Sequence, residues 1–435
     1  MTSGPTPVAH PGARPRATAV VVAARGATAV ALALLLACGG GGGDGDEAED
    51  GDGRGDDAPA TVEPITPEEL PVDADGFYAP PDPLPAGRPG DLLRYQEVAD
   101  PPDGVAWYRI MYLSETVQGD PTVVTGVVTV PDGEPPEGGW QLVAHAHGST
   151  GLADACAPSV SLDDDRRYAP ELLVFGTLAP ERDYVVASTD YEGLGGPGRH
   201  PFLVGESEGR GVLDAARAAR HLPGLDLAPT TAIAGYSQGG HAALWAHQIA
   251  ADYAPDLDIV GTMAGAPATD MFTATGSPPP AGQEPFWAHV VAGYAAAYPD
   301  AEAALDAVLT PAGRAFVEEQ LDTRCQDGLT VEPGERLLHA DPLGVEPWAS
   351  LLDGNVPGRE AAPAPLLIVH GDQDRQVPVE ASAALLERVC RAGQVAERRV
   401  VPGVDHVIAA VPAYEQGLEW FDALRSGTLP RSSCP

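Results

Sequence analysis

Ser237 stands in the stretch Ala-Gly-Tyr-Ser-Gln-Gly-Gly (234–240), a G-x-S-x-G pattern between an apolar run at 231–234 and a helical pattern at 239–251. That spacing places a serine on a tight strand-to-helix turn. The glycines leave room for a strained backbone and a close helix, and the hydroxyl stands clear of the sheet edge. The backbone N–H of Gln238 would face a carbonyl oxygen on which charge develops, with the helix N-terminus adding positive potential. A serine hydroxyl needs a base to take its proton, and the base needs an acid to orient it. Two carboxylates, Asp372 and Asp374, lie in Val-His-Gly-Asp-Gln-Asp-Arg-Gln-Val-Pro (369–378), and His406 ends Val-Pro-Gly-Val-Asp-His (401–406). Each segment directly follows a strand-like run. A second amide donor is also required. The loop His-Gly-Ser-Thr-Gly (147–151) offers Ser149, or Thr150 in its place. The plainer reading makes the aspartates turn formers and the loop a simple glycine turn.

Other polar clusters carry less chemistry. The glycine-rich stretch at 193–198 lacks the Lys of a phosphate loop. His145 and His147 could share one side of a strand as metal ligands do, but no acidic or Cys partner stands nearby. The adjacent Asp163, Asp164 and Asp165 read as a solvated loop. No metal site and no cofactor is therefore expected.

The elements around these residues alternate. Runs at 106–113 and 122–130, rich in Val, Ile, Tyr and Trp and bounded by Asp-Gly or Pro, predict early antiparallel strands. Buried strands are predicted at 141–146, 184–188, 231–234, 259–264, 365–369 and 398–401. Helices are predicted at 209–222, 239–251 and around 413–424. Strands alternating with helices imply an α/β chain with a mostly parallel central sheet flanked by helices. The rhythm breaks over 269–360, where Gly/Pro turns separate helical patterns at 296–309 and 313–321. This stretch reads as a helical cap inserted between core segments 77–268 and 361–435.

The chain carries 63 acidic against 25 basic side chains, a net charge of −38, and its basic residues are all Arg. Such acidity excludes nucleic acid as a partner, since phosphates require a basic surface. Residues 44–57 form an acidic, Gly-rich run that reads as a solvated spacer. Before it, Arg14, Arg16 and Arg25 precede the short apolar stretch 26–37, as in an export signal. The segment Leu-Leu-Ala-Cys (35–38) resembles a bacterial lipobox, in which the Cys is lipidated. The expectation is a signal peptide over 1–38, a lipidated Cys38 and a flexible tether over 39–76 with a reach of roughly 35 Å. This predicts an exported, membrane-attached protein at the cell surface or in the periplasm, with simple secretion as the alternative. Without Cys38, four Cys remain: Cys156, Cys325, Cys390 and Cys434. An even number in an exported chain suggests two disulfides, and three pairings are open.

Taken together, several segments resemble the secretory lipases, the lipase A type of fungi and its bacterial relatives. They are His147-Gly148-Ser149-Thr150-Gly151 with Cys156-Ala157-Pro158-Ser159, and Asp190-Tyr191-Glu192-Gly193-Leu194-Gly195. Further matches are His200-Pro201-Phe202, Asp214-Ala215-Ala216-Arg217, Gly235-Tyr236-Ser237-Gln238-Gly239-Gly240, His370-Gly371-Asp372-Gln373-Asp374 and Asp405-His406. The resemblance runs from about Leu92 to the C-terminus. It implies an α/β-hydrolase fold with an inserted helical cap, and a catalytic set of Ser237, Asp374 and His406, with Asp374 selected over Asp372. It also implies pairing of Cys156 with Cys325 and of Cys390 with Cys434. The implied reaction is carboxylic-ester hydrolysis through a covalent acyl-enzyme, on acylglycerols or other lipid esters, without cofactor or metal. The alternatives are a short-chain carboxylesterase, a capped serine peptidase, or a non-catalytic binding protein on the same fold.

Overall fold

In a computed structural model, residues 64–163, 170–270 and 279–435 are described. They contain ten strands in one sheet: β1 (Glu68–Leu70), β2 (Leu92–Glu97), β3 (Val105–Glu115), β4 (Pro121–Pro131), β5 (Trp140–Ala146), β6 (Tyr184–Thr189), β7 (Leu227–Tyr236), β8 (Asp258–Gly265), β9 (Leu366–Gly371) and β10 (Ala396–Val401). Their order is β1-β2-β3-β4-β6-β5-β7-β8-β9-β10. Strands β2 to β4 pair antiparallel, and β4 pairs antiparallel with β6. From β6 onward every pairing is parallel. After β5 the chain lays β6 on one side of it and β7 on the other. Such a reversal opens a crevice at the carboxyl ends of β5 and β7, the usual place for a ligand in an open α/β sheet.

The helices are α1 (Pro170–Leu178), α2 (Gly205–Arg220), α3 (Gln238–Tyr253), α4 (Glu284–Ala297), α5 (Pro299–Ala303), α6 (Pro311–Phe316), α7 (Trp348–Gly354), α8 (Val379–Arg391) and α9 (Ala410–Arg425). The central parallel strands β5, β6 and β9 are buried along nearly their whole length because both faces are covered. Leu142, Ala144 and Ile233 pack under Val212 and Ala216 of α2 and Ala242 and Ala246 of α3. The alternate residues Val143, Ala232 and Ala234 meet Phe175 of α1 and Tyr414, Leu418 and Phe421 of α9. The period of two along a strand divides the side chains between these layers. Among the described residues between β8 and β9, α4 to α7 build a separate apolar cluster around Trp287, Val291, Phe316 and Trp348. That cluster also takes in Leu152, Phe202, Leu203 and Val204 from the core loops.

Several sequence expectations shift. Glu68–Leu70, expected to lie within the tether of 39–76, instead form a strand in parallel to β2. Gln96 then donates to the carbonyls of Pro71 and Ala74, and Arg94 to those of Gly76, Phe77 and Ala79. The helix expected over 296–309 is instead the end of α4, a break and the short α5. Pro299 cannot continue the ladder, and Tyr298 before it is extended at φ −122° and ψ 115°. Helices α1 and α8 had no counterpart in the sequence reading. The signal, the lipobox Cys38, most of the tether, and Asp164 and Asp165 lie outside the described residues.

Candidate active site

Ser237 occupies the turn between β7 and α3 with φ 58° and ψ −118°, a left-handed backbone strained for any residue but glycine. Three contacts hold it there. The Ser237 N–H donates to Gly265 O at 2.9 Å, and its carbonyl accepts from the amides of His241 and Ala268, both at 3.1 Å. The neighbouring glycines are steric requirements. A Cβ on Gly235 would overlap the carbonyl of Gly239, and one on Gly239 would overlap that of Ala146. The helix can therefore start directly against β5 and β7, which leaves the Ser237 hydroxyl at the crevice.

The ring of His406, from the loop after β10, reaches that hydroxyl: Nε2 lies 2.9 Å from Ser237 Oγ. Its Nδ1 lies 2.5 Å from Asp374 Oδ2. A carboxylate only accepts, so Nδ1 carries the hydrogen and Nε2 presents a lone pair to the serine. Asp374 is surrounded by donors. Oδ1 accepts from the amides of Gln376 and Val377 at 2.9 Å, and Oδ2 also accepts from His370 Nε2 at 3.2 Å. Burial pushes this carboxyl up. The hydrogen bonds from His370 and His406, the charge of His406 and the Val377 amide outweigh burial and hold it well below the carboxylate range. Tyr236 adds a further restraint by donating its hydroxyl to His406 O at 2.7 Å.

Asp372 takes no part in this cluster. It is exposed, and its Oδ1 accepts from Gly403 N at 2.7 Å, pinning the turn after β10.

On the other side of Ser237 runs the loop after β5. His147 O accepts from Tyr191 Oη at 2.7 Å, and Gly148 O accepts from His147 Nδ1 at 2.6 Å. Gly148 N donates to Glu171 Oε1 at 3.0 Å. Thr150 O accepts from Gln326 N at 2.9 Å within an antiparallel bridge that pairs Gly151 with Cys325. Among the described residues the Ser149 amide meets no acceptor. Burial pushes Glu171 up to about 7 against the hydrogen bonds from Tyr414 and Gly148 N, and it pushes the His145 and His147 rings down to about 3 and about 4, so both rings are neutral.

Gln238 begins α3, and its side chain is fixed by two acceptors. Nε2 donates to Glu208 Oε1 and to His200 Nε2, both at 2.8 Å. Glu208 Oε2 pairs with His241 Nδ1 at 2.7 Å, and His241 Nε2 lies 3.1 Å from Asn355 O at the end of α7. The helical insert is fastened to this region at further points. Cys156 and Cys325 form a disulfide with Cα atoms 5.3 Å apart, and Arg199 makes a two-pronged ion pair with Asp322 at 2.7 Å. Cys390 and Cys434 form the second disulfide, joining α8 to the C-terminus. Among the described residues, no three His, Cys, Asp or Glu side chains cluster as metal ligands would.

Ser237, Asp374, His406, Gln238 and the 147–151 loop thus meet at the crevice, as the sequence reading expected. That reading placed neither His370 nor His241 in the site, yet His370 donates to Asp374 and His241 anchors Glu208. It missed Tyr236, Glu208 and Glu171 altogether. Tyr236 could have been found as the residue just before the serine in the G-x-S-x-G turn. Glu171 sits in an apolar stretch, Pro-Glu-Leu-Leu, with no signal at all.

Residues 168–431 match the family model described as secretory lipase. The chain is 26% identical over 390 residues to lipase A of Moesziomyces aphidis, covering 83% of this chain and 81% of the relative. It is 27% identical over 390 residues to the secreted triacylglycerol lipase LIP4 of Malassezia globosa, covering 83% and 82%. Among solved structures it is similar to Candida antarctica lipase A in its closed state, with a TM-score of 0.69, 25% identity, and coverage of 84% of this chain and 89% of that one.

Proposed function

Because the chain belongs to the secretory lipase family and is an exported ester hydrolase of the triacylglycerol lipase type, we propose that Ser237, His406 and Asp374 are its catalytic residues. Lipid esters are its substrates. His406 Nε2 takes the proton of Ser237 as Oγ attacks the ester carbonyl. Asp374 holds the imidazole in its Nδ1–H tautomer and stabilises the imidazolium that forms. The amides of Gln238 and Ser149 receive the oxyanion. His406 then protonates the leaving alcohol, and a water molecule activated by the same ring releases the acid from the acyl-enzyme. No step asks for a metal or a cofactor.

One observation carries the reading: the unbroken hydrogen-bonded line from Ser237 Oγ through both ring nitrogens of His406 to Asp374. Free amides at the crevice and the fixed Gln238 side chain support it. Ser237→Ala should lower kcat on p-nitrophenyl esters by about 10⁴ or more and abolish labelling by a fluorophosphonate. Near-normal turnover or an unchanged label would remove Ser237 from the role.

Residues 269–360 are read as a cap over this crevice, on the strength of their own apolar cluster and their fastening to the 147–151 loop. Cys38 is read as a lipid anchor. Support comes from the Leu-Leu-Ala-Cys segment and from the pairing of the other four Cys with one another. Metabolic labelling with palmitate should mark the wild-type protein and not Cys38→Ala. An unlabelled wild type would leave plain secretion.

A further inference from the structure

The loop after β5 has few backbone groups left to offer a substrate. His147 O, Gly148 N, Gly148 O and Thr150 O are all engaged by the protein, the last by Gln326 N. Among the described residues the amides of Ser149 and Thr150 are left over, and that of Ser149 adjoins the Gly148 peptide. The Ser149 N–H shares a planar peptide with Gly148 O, which His147 Nδ1 holds at 2.6 Å, and the peptide before that one is held by Glu171 Oε1 at 3.0 Å from Gly148 N.

Glu171 is itself held from behind. Tyr414 Oη donates to Oε2 at 2.5 Å, so it must accept from His145 Nε2 at 3.0 Å. His145 Nδ1 then accepts from Ser188 Oγ at 2.9 Å. Three side chains on β6, β5 and α9 thus brace the carboxyl group of Glu171 on α1 against the loop. The close approach also explains a glycine: a Cβ at residue 148 would overlap Glu171 Oε1. Residues 23 positions apart are matched in shape as well as in hydrogen bonding.

We propose that Glu171 is a positioning residue for the oxyanion: by accepting the Gly148 N–H it aims the Ser149 N–H at the carbonyl attacked by Ser237. The inference rests on the reading of Ser149 as the second amide donor. Glu171 touches neither Ser237 nor the substrate and acts through the loop alone.

The test compares Glu171→Ala and Glu171→Gln with wild type on p-nitrophenyl butyrate. It also compares inhibition by an alkyl trifluoromethyl ketone, whose carbonyl oxygen becomes an oxyanion when Ser237 Oγ adds to the carbon and His406 takes the proton. Gln keeps an oxygen for Gly148 N, and its NH₂ can face Tyr414 if the His145 tautomer inverts. Glu171→Ala should lose about 10- to 100-fold in kcat with KM within about twofold, and the inhibition constant should rise in parallel. Glu171→Gln should stay within about threefold of wild type in both. Ser149→Pro lacks the amide, and adding Glu171→Ala to it should cost nothing further. If Glu171→Ala does not fold, Glu171→Met, similar in size and without an acceptor, takes its place.

A Glu171→Ala enzyme with wild-type kcat and inhibition overturns the proposal. So does equal damage in Glu171→Gln, which would mean that charge matters and not the acceptor. Full damage by Glu171→Ala in the Ser149→Pro background also overturns it. A Ser149→Pro enzyme with wild-type inhibition instead refutes the Ser149 reading on which the proposal stands.

Discussion

Asp374→Asn exchanges one carboxylate oxygen for an amide nitrogen and leaves the side chain's shape intact. Four donors converge on this group: two backbone amides at Oδ1 and two ring nitrogens at Oδ2. The backbone amides of Gln376 and Val377 cannot turn away, so the Asn oxygen must stay with them. Its NH₂ then faces His406 Nδ1 and His370 Nε2. His406 must offer Nδ1 as an acceptor and carry its hydrogen on Nε2, where it can no longer take the proton of Ser237. The expected loss is about 10⁴-fold in kcat, or roughly 5.5 kcal/mol of transition-state stabilisation. Stability also falls, because His370 Nε2–H, committed to Val377 O at 3.0 Å, now points a donor at a donor. That mismatch costs about 1–3 kcal/mol. The control is Asp372→Asn. Its retained Oδ1 still serves Gly403 N on an exposed turn, so kcat should stay within about twofold and stability within about 0.5 kcal/mol. Steady-state kinetics on p-nitrophenyl butyrate and urea melts of the three proteins provide the measurements. A loss under tenfold in Asp374→Asn, or a larger loss in Asp372→Asn, would refute the reasoning.

Gly239→Ala should lower stability by more than about 2 kcal/mol and reduce kcat, since the methyl group meets the Ala146 carbonyl; an unchanged melt would show that β5 and α3 can part. Burial raises Asp190 from its ordinary 3.8 to about 6, despite hydrogen bonds from Ser159 and Thr125 and the charge of Arg109. An acid raised in the folded state favours folding below its unfolded value, and that contribution is lost as pH rises through its folded one. Asp190→Asn should therefore gain on wild type by roughly 3 kcal/mol between pH 4 and pH 7.5, read from denaturant melts; a constant difference contradicts the shift. Replacing Cys156 and Cys325 together with Ala opens a closure of 169 residues and should cost about 5 kcal/mol in the chain-entropy account. Because that disulfide also ties the 147–151 loop to the helical insert, kcat should fall too. The same change at Cys390 and Cys434, 44 residues apart, should cost about 4 kcal/mol and leave kcat within about twofold.

Local chemistry was legible along the chain. The turn at Ser237 follows from glycines that must be small and a strand that must end, all within seven residues. The core strands follow from short apolar runs, and the parallel sheet from their alternation with helices. Residues that act over distance were not legible. Asp372 and Asp374 sit in equivalent turn-forming positions; what separates them is that β9 and β10 run side by side and bring His406 over the second and Gly403 over the first. The pattern His-Gly-x-x-Asp-x-x-Val-Pro at 370–378, part of the resemblance, pointed to Asp374, but gave no physical reason for the choice. Ser149 and Thr150 are likewise adjacent hydroxyl residues; Gln326 arrives from the insert to take the Thr150 carbonyl, a contact no local residue announces, and among the described residues both amides stay open. Three disulfide pairings were open to counting, and the path of the chain realises one of them. Glu171 left no trace at all, since a carboxyl group at the start of an apolar helix looks like any solvated cap. The periods and turns written in a sequence report contacts between near neighbours. The sheet order, set by which apolar faces can be buried together, decides which strand ends become neighbours, and so which distant side chains can share a proton.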